Sequence, residues 1–198
     1  MKLYFKPGAC SLASHIVLRE LGVDFTLESV DTEAQQTASG DDYKIINPKG
    51  YVPALDNGST VLTEGAAVLQ YLAESTPLAP QAGTLERVRL QEHLNYIASE
   101  IHKAFGPFFQ ARANEGERTA ARHAVARHFD YMETLLADGR AYLVGDGFTV
   151  ADAYLFVVCT WSAAAGIDLK DWPALHALSA RVGARPSVRA AMQAEGLG

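Results

Sequence analysis

One cysteine stands where the sequence can make a thiol chemically active. Cys10 follows the apolar run Leu3-Tyr4-Phe5 and comes directly before a segment of helical pattern, Leu12 to Leu21. At the start of a helix, the unpaired backbone N–H groups and the positive end of the helix dipole favour thiolate over thiol. The position therefore predicts a sulfur that is useful as a nucleophile or in thiol–disulfide exchange.

Other interpretations of the cysteines stay open at this point. A free cysteine often serves as a small buried apolar side chain, and position alone does not separate that role from a chemical one for Cys10. Cys159 ends a continuous apolar run, 153–159, which is typical of a buried helix, so we expect it to be core. Ala13 stands three residues after Cys10, which excludes a C-x-x-C pair, and any redox role needs an external thiol.

A helical segment in the second half carries further candidates. Asn95, Ser99 and His102 fall at i, i+4 and i+7, which predicts that they share one face of a helix. An imidazole beside a sulfur can stabilise its thiolate by a hydrogen bond, or orient a water. A single helical histidine is also typical of a surface or core position. The other histidines show no metal-ligand spacing, so we expect no metal site.

Two aromatic side chains follow His102 at helical spacing. Phe105 and Phe109 stand three and seven residues beyond it, on either side of Gly106-Pro107, a pair that disturbs a helix. On the face of His102 they would form an apolar wall beside the sulfur. A Phe-rich helix also buries itself in any helical bundle, so a plain core role is the alternative.

Composition limits the classes of function. The 198 residues are 48% hydrophobic and 20% charged, which is ordinary globular composition for one large domain or two small ones. The net charge is −6 with no basic stripe, which argues against binding of nucleic acid or anionic membranes. Two cysteines form no disulfide framework, and neither a secretory leader nor a membrane span is recognisable, so the cytoplasm is the expected compartment.

A change of pattern near residue 77 predicts two domains. The first part reads as strand 2–5, the helix after Cys10, strand 25–30, a short helix 43–46, two short strands on either side of the Asn57-Gly58 turn, and a closing helix around 67–72. This order is a thioredoxin-like layout. We expect a thioredoxin-like domain over 1–77 and a linker rich in proline over 77–83.

The second part has only helical patterns and predicts an all-helical domain over 84–198. Its helices are expected at about 84–112, 118–137, 150–165, 173–183 and 187–194. Thr149 and Asp152 have the spacing of a capping box, in which each side chain accepts from the other residue's backbone N–H. The fold class is therefore an α/β domain followed by an all-α domain.

These features together resemble the bacterial beta class of cytosolic glutathione transferases, essentially from end to end. The resemblance rests on nine segments in order: Met1 to Tyr4, Pro7 to Leu12, His15 to Glu20, Asn47 to Gly50, Val52-Pro53, Leu62 to Gly65, Ser99 to Lys103, Val150 to Leu155 and Glu195 to Leu197. It implies the glutathione transferase fold, with glutathione as cosubstrate and no metal, and a homodimer.

The resemblance also implies roles for individual residues. Pro53 matches a cis-proline, and the backbone of Val52 would pair with the cysteinyl part of glutathione. Gly65 at a helix N-terminus suits the γ-glutamyl carboxylate, and Glu64 suits the ammonium group. Asn95 and Ser99 are assigned to glutathione, Cys10 and His102 to catalysis, and Phe105, Phe109 and Trp161 to the electrophile pocket.

One position departs from the pattern of the class. Family members often have a lysine after the second strand that holds the glycyl carboxylate of glutathione, and this chain has Gln35-Gln36 there. An amide can donate a hydrogen bond but supplies no charge. Either Gln35 binds the carboxylate more weakly, or another group such as Lys49 substitutes.

The function implied is activation of the glutathione thiol for attack on a small hydrophobic electrophile, either as conjugation or with displacement of a halide. Exchange of glutathione mixed disulfides through Cys10 is a second chemistry for the same site. The alternative is a binding or stress-regulatory protein that keeps the fold without turnover. The presence of Cys10, Glu64 and His102 together favours the enzyme.

Overall fold

Residues 1–197 are described by a computed structural model, and they form two compact units. The first contains Met1–Thr76 and the segment that begins at Ala184, and the second is Pro77–Gly183. The sequence assigned the last helix to the helical domain, whereas in the structure this helix packs on the first helix of the chain. The apolar side chains Val188 and Ala191 of this helix are fully buried. No local sequence pattern specifies which part of the protein such side chains will pack against.

The first unit is built on a five-stranded sheet with the order β3-β2-β1-β4-β5. Its strands are β1 (Lys2–Phe5), β2 (Thr26–Asp31), β3 (Gln36–Thr37), β4 (Ala54–Asp56) and β5 (Val61–Thr63). β1 and β2 are parallel, and the other pairs are antiparallel. β3 was not predicted, because two residues within a polar stretch carry no periodic signal. Its residues Gln36 and Thr37 pair with Asp31 and Val30 of β2.

Helices cover both faces of this sheet. These helices are α1 (Ser11–Leu21), α2 (Tyr43–Ile46) and α3 (Gly65–Ala73), and the late helix α10 (Pro186–Ala194) packs on α1. Tyr43 of α2 packs against Tyr4, Val30 and Ala54 on one face. Leu3 and Leu55 point to the other face, since strand side chains alternate, and there α1 and α3 contact the sheet. This is the thioredoxin-like arrangement that the sequence predicted.

Helices joined by turns and loops make up the second unit, Pro77–Gly183. It contains α4 (Leu85–Tyr96), a π-helix (Ile97–Ile101), α5 (His102–Ala104), a 3₁₀ turn (Gly106–Phe109), α6 (Glu115–Leu136), α7 (Val150–Thr160), α8 (Ser162–Ala165), a 3₁₀ turn (Leu169–Asp171) and α9 (Pro173–Gly183). Every residue of α7 from Val150 to Cys159 is buried, which explains the continuous apolar run in the sequence. None of the helices within residues 1–197 combines the length and apolar character needed to span a membrane.

One local prediction is confirmed in this unit. The capping box at the start of α7 is present, and the carboxylate of Asp152 also accepts the backbone N–H of Leu143 at 2.8 Å. The segment 77–83, which was expected to be a linker, belongs to the helical unit. The carbonyl of Leu78 accepts the Val150 N–H, and that of Pro80 accepts a hydrogen bond from Nη1 of Arg87.

Candidate active site

Cys10 stands immediately before α1, as the sequence predicted. Its backbone already has helical angles (φ −58°, ψ −20°), and its side chain is partly exposed. The Cys10 Sγ donates a hydrogen bond to the carbonyl oxygen of Val52 at 3.3 Å. The structure therefore brings together two residues that are 42 positions apart and that the resemblance placed in one site.

The turn that carries Cys10 is fixed by a buried network. The Gly8 N–H donates to Oε2 of Glu195 at 3.0 Å, while Oε1 of Glu195 lies 2.8 Å from Nδ1 of His15. The Nε2 of His15 accepts a hydrogen bond from Nε of Arg19 at 2.9 Å, so the His15 proton is on Nδ1 and is donated to Glu195. The side chains of His15 and Glu195 are fully buried. The late helix α10 thus holds the loop two residues before the cysteine.

The edge of β4 and the start of α3 form the next part of the site. The Val52–Pro53 bond is cis, as the resemblance implied, and a Cβ on Gly65 would lie 3.8 Å from the Pro53 ring. Glu64 has a φ of +69°, a conformation that is strained for a residue with a side chain and is often found at binding sites. The first N–H groups of α3 have no partner within the helix, which suits a carboxylate.

Lys49 lies beside Glu64. Its Nζ is 2.5 Å from Oε1 of Glu64 and donates to Oγ1 of Thr63 at 2.8 Å. The side chains are 47% and 68% exposed, so the ion pair is screened by solvent and contributes at most about 1 kcal/mol. A ligand ammonium group can therefore displace Lys49 from this carboxylate with little loss of free energy.

The expectation for Gln35 needs a correction. Its Nε2 donates to the carbonyls of Thr32 at 2.5 Å and Gly50 at 3.2 Å, so both amide protons are used within the protein. The Oε1 of Gln35 is buried and accepts no hydrogen bond from residues 1–197. Gln35 holds the Gly50 loop in place rather than offering a donor to a ligand.

A cleft of about 330 Å³ opens beside Gln35 and carries two cations. It is lined by Thr32, Gln35, Lys44, Lys49, Gly50 and Tyr51. An anionic group is the natural occupant of a cleft with two ammonium groups on its rim. Lys49 was the alternative that we considered for the lysine that this chain lacks. Lys44 was not predicted to take part, because its position on the rim depends on the tertiary fold.

His102 is the first residue of α5 in the helical unit. Its Nδ1 lies 2.8 Å from the hydroxyl oxygen of Tyr154, and its ring meets Trp161 edge to face with the centroids 4.8 Å apart. Burial, with a smaller effect from the neighbouring Lys103, lowers the pKa of His102 to about 4. The imidazole is therefore neutral at physiological pH.

The segment that carries Asn95, Ser99 and His102 is not a regular α-helix, and a face shared by the three stays a prediction. The segment 97–101 is a π-helix, whose i→i+5 hydrogen bonds insert an extra residue and shift the register of the side chains on either side. Asn95 and Ser99 are exposed, and Ser99 Oγ donates to Glu100 at 3.4 Å, whereas His102 turns toward Tyr154. A short π-helix is often found at functional sites, and no spacing rule in the sequence signals it.

The aromatic set divides into core and surface. Phe105 is fully buried and packs on Phe129 and Trp161, so it belongs to the core and corrects the expectation that it lines a pocket. Phe109 is 57% exposed, with its centroid 5.3 Å from that of Trp161, which is itself only 7% exposed. The accessible apolar wall is therefore Phe109 with the edge of Trp161.

Other reactive side chains stay outside the site. Cys159 is 3% exposed, and burial raises the pKa of its thiol, which agrees with the core role expected for it. Within residues 1–197, no group of three or more histidine, cysteine, aspartate or glutamate side chains is arranged to hold a metal ion. The contact of Tyr154 with His102 was not predicted, because Tyr154 lies in the apolar run of α7, where the sequence indicated only core.

Comparison with known proteins agrees with the architecture. Models of the N-terminal and C-terminal domains of glutathione S-transferases match residues 8–75 and 96–186. The chain is 47% identical over 203 residues to glutathione S-transferase GstA of Escherichia coli O157:H7, with 100% of each chain covered. The structure superposes on a bacterial beta-class enzyme from Sphingomonas chungbukensis with a TM-score of 0.95, 45% identity and 100% of each chain covered. A sphingomonad glutathione S-transferase solved in complex with glutathione gives a TM-score of 0.95 at 44% identity, again with 100% of each chain covered.

A thioredoxin-like unit with a cysteine at the start of its first helix, followed in the chain by a helical unit, defines a class of glutathione-dependent enzymes. The chain belongs to the glutathione S-transferase family. Within that family it is a bacterial beta-class enzyme.

Proposed function

We propose that this glutathione S-transferase binds glutathione on its thioredoxin-like unit and activates the thiol for attack on a small hydrophobic electrophile. One observation carries the proposal: the Cys10 sulfur at the start of α1 lies 3.3 Å from the Val52 carbonyl. A tripeptide paired with the backbone of Val52 would thus have its own sulfur beside Cys10 and the positive end of α1.

The charged groups of glutathione match charged groups of this unit. The γ-glutamyl carboxylate suits the first N–H groups of α3 at Gly65, and the ammonium group suits Glu64. When the ammonium group takes Glu64, Lys49 is released toward the cleft on whose rim it stands with Lys44. We assign the glycyl carboxylate to these two lysines, because the donors of Gln35 are already used.

Truncated ligands test this assignment. Calorimetric titration compares glutathione with γ-glutamylcysteine, which lacks the glycyl carboxylate. We expect Lys44→Met to weaken glutathione binding about two- to fivefold, the range of an exposed charge pair, and to leave the binding of γ-glutamylcysteine unchanged. Equal weakening of both ligands would contradict the assignment. Lys170→Met, on the helical unit, is the matched control for loss of one surface lysine.

The proposed site has two reactions available, one of the glutathione thiolate and one of the Cys10 thiolate. In conjugation, its sulfur forms a bond to an electrophilic carbon, and where the carbon carries a halide, the halide leaves with the bonding electron pair. In exchange, the Cys10 thiolate attacks the glutathione sulfur of a mixed disulfide, so that a Cys10–glutathione disulfide forms and the other thiol leaves as its thiolate. A second glutathione thiolate then frees Cys10 and leaves as glutathione disulfide.

The resemblance assigns groups of the helical unit to the electrophile and to the sulfur. The wall of Phe109 and Trp161 offers apolar surface to an aromatic or aliphatic electrophile. Neutral His102 offers a hydrogen bond to the anionic sulfur. Asn95 and Ser99 are exposed on α4 and the π-helix, and their assignment to glutathione stays a prediction.

Substitution of Cys10 separates the two reactions. With chlorodinitrobenzene as electrophile, we expect Cys10→Ala to retain part of the conjugation activity and to lose exchange with a glutathione mixed disulfide. Cys159→Ala is the control, since it removes the other thiol from a buried position. Exchange by Cys10→Ala at the original rate would refute the role of Cys10. Glutathione binding without turnover in the unmodified protein would favour a regulatory protein of the same fold.

We also propose a homodimer that uses one face of α4. Leu85, Val88, Arg89 and Glu92 lie at helical spacing on this face, and Leu85 and Val88 are 65% and 54% exposed. A second copy of the chain would bury these apolar side chains and shield the Arg89–Glu92 ion pair. Sedimentation equilibrium should show a dimer that Val88→Glu dissociates and that Val88→Ile does not. A monomeric unmodified protein would refute the proposal.

The cytoplasm is the compartment we propose. The proposed reaction uses glutathione, which keeps thiols reduced in that compartment. Fractionation of the source cells with an antibody to the protein tests this. Recovery in the periplasmic fraction would contradict it.

A further inference from the structure

The hydroxyl of Tyr154 and the imidazole of His102 form one hydrogen-bonded pair inside the helical unit. The two residues are 52 positions apart, and the hydroxyl oxygen lies 2.8 Å from Nδ1 of His102. Tyr154 is 3% exposed on α7, and its ring is almost perpendicular to the imidazole (85°) with the centroids 6.1 Å apart. The ring of Trp161 also packs edge to face against the imidazole, with the ring centroids 4.8 Å apart. These contacts hold the ring of His102 in place, and the hydrogen bond with Tyr154 occupies Nδ1.

The chemistry of the pair favours one direction for the shared proton. A phenol O–H is a much stronger acid than the N–H of a neutral imidazole, and an imidazole nitrogen is a stronger base than a phenol oxygen. The hydrogen bond of a neutral pair therefore runs from the Tyr154 hydroxyl to Nδ1 of His102. The pair is neutral because burial lowers the pKa of His102 to about 4 and the adjacent Lys103 also disfavours a second positive charge.

We infer that Tyr154 is a positioning residue that fixes His102 as the tautomer protonated on Nε2. With Nδ1 occupied as an acceptor, His102 presents an N–H donor at Nε2 and has no lone pair there to take a proton. In this form the imidazole stabilises an anionic sulfur by a hydrogen bond and does not act as the general base that deprotonates the thiol. The inference rests on the proposed role of His102 toward the glutathione sulfur.

The opposite arrangement defines what would be seen if the inference failed. A general base at Nε2 requires the proton on Nδ1, donated to the oxygen of Tyr154. The two arrangements differ in which ring nitrogen carries hydrogen, and this is measurable without any assay of turnover. Nitrogen chemical shifts of imidazole separate the two tautomers of a neutral ring.

The experiment uses the full chain labelled with ¹⁵N-histidine. The chain has six histidines, and the signals of His102 are assigned by their loss in His102→Gln. At neutral pH we expect the His102 signals of the tautomer protonated on Nε2. In Tyr154→Phe we expect them to shift toward an average of both tautomers, because Nδ1 has lost its donor. Tyr131→Phe, which removes a hydroxyl from a 46% exposed tyrosine, should leave them unchanged.

A His102 protonated on Nδ1 in the unmodified protein would overturn the inference, and that measurement does not depend on whether any variant folds. Unchanged His102 signals in a folded Tyr154→Phe variant would also overturn it. Kinetics give a second readout: Tyr154→Phe should lower kcat about tenfold, the usual effect of losing a group that orients a catalytic side chain, with KM for glutathione little changed.

Failure of the underlying proposal has a different signature. If His102→Gln turned over substrate at the unmodified rate, the role of His102 toward the sulfur would be wrong, whatever the tautomer. If His102→Gln were impaired and the tautomer were protonated on Nδ1, only the inference about Tyr154 would be wrong.

Discussion

The buried carboxylate of Glu195 makes the sharpest prediction about how the cysteine loop is held. Replacement by glutamine keeps the size of the side chain and exchanges one acceptor oxygen for an NH₂ donor. Both oxygens of Glu195 now accept, one from the Gly8 N–H at 3.0 Å and one from Nδ1 of His15 at 2.8 Å. In Glu195→Gln, one of these donors must therefore face another donor.

Rotation of the new amide does not relieve this clash. If its NH₂ faces His15, the proton of the imidazole must move from Nδ1 to Nε2. In the unmodified protein Nε2 accepts the Nε–H of Arg19 at 2.9 Å, so the moved proton would face that N–H. If the NH₂ faces Gly8, the backbone N–H loses the Glu195 oxygen and meets a donor in its place. The clash moves between the two ends of the network but stays within a buried region.

The magnitude follows from the bonds that are lost. A hydrogen bond to a charged group contributes about 1.5 to 3 kcal/mol, and a buried donor left unsatisfied costs about 1 to 3 kcal/mol. The easier burial of a neutral amide offsets part of this loss. We expect Glu195→Gln to lower the free energy of unfolding by about 2 to 4 kcal/mol, and the midpoint of thermal unfolding by about 5 to 15 °C.

Urea unfolding followed by circular dichroism measures this loss. Glu33→Gln is the control, because it removes the same charge from an exposed position in the same unit and should change stability by less than about 0.5 kcal/mol. A loss below about 0.5 kcal/mol for Glu195→Gln would refute the account of the network. Gly8 stands two residues before Cys10, so we also expect a changed rate of alkylation of Cys10 in the native variant.

Three further predictions concern other parts of the molecule. Gly50→Ala should lower stability by about 1 to 2 kcal/mol in urea unfolding, because Gly50 has a φ of +73° and a Cβ would lie 2.5 Å from Oε1 of Gln35. Asp152→Asn should lower it by about 1 to 3 kcal/mol, since buried N–H groups lose their acceptor. Burial raises the pKa of Asp152 to about 6, above its value in the unfolded chain. The stability that comes from its protonated form is therefore complete below about pH 4 and is lost as the pH rises through 6. The difference in unfolding free energy between the unmodified protein and Asp152→Asn should thus be larger at pH 5 than at pH 7.5. Because the pKa of His102 is lowered to about 4, His102→Gln should reduce kcat/KM by the same factor at pH 6 and at pH 8, and a factor that changes between these pH values would contradict a neutral imidazole.

Much of the fold could be predicted because its signals are local. The strand-to-helix change around Cys10, the Asn57-Gly58 turn and the capping box of Thr149 and Asp152 each depend on residues close together in the chain, and each is found where it was expected. β3 was missed because it exists only through pairing with β2.

The site was predicted less completely than the fold. The resemblance supplied Cys10 and Val52, and their 3.3 Å contact agrees with it. The assignment of Gln35 was corrected because its amide bonds to two backbone carbonyls that approach only in the folded loop. Phe105 has the spacing of a pocket residue, but a periodic pattern does not distinguish the side of a helix that meets a ligand from the side that meets the core.

By itself the sequence determined which chemical groups this protein has and the helices and strands that carry them, because periodicity, capping and turn chemistry act over a few residues. The tertiary structure alone decided the partners of those groups: Tyr154 for His102, Glu195 for the loop of Cys10, and the lysine pair on the cleft. These partners are set by packing between distant segments, and a hydrogen bond depends on distances of tenths of an ångström that no spacing in the chain specifies.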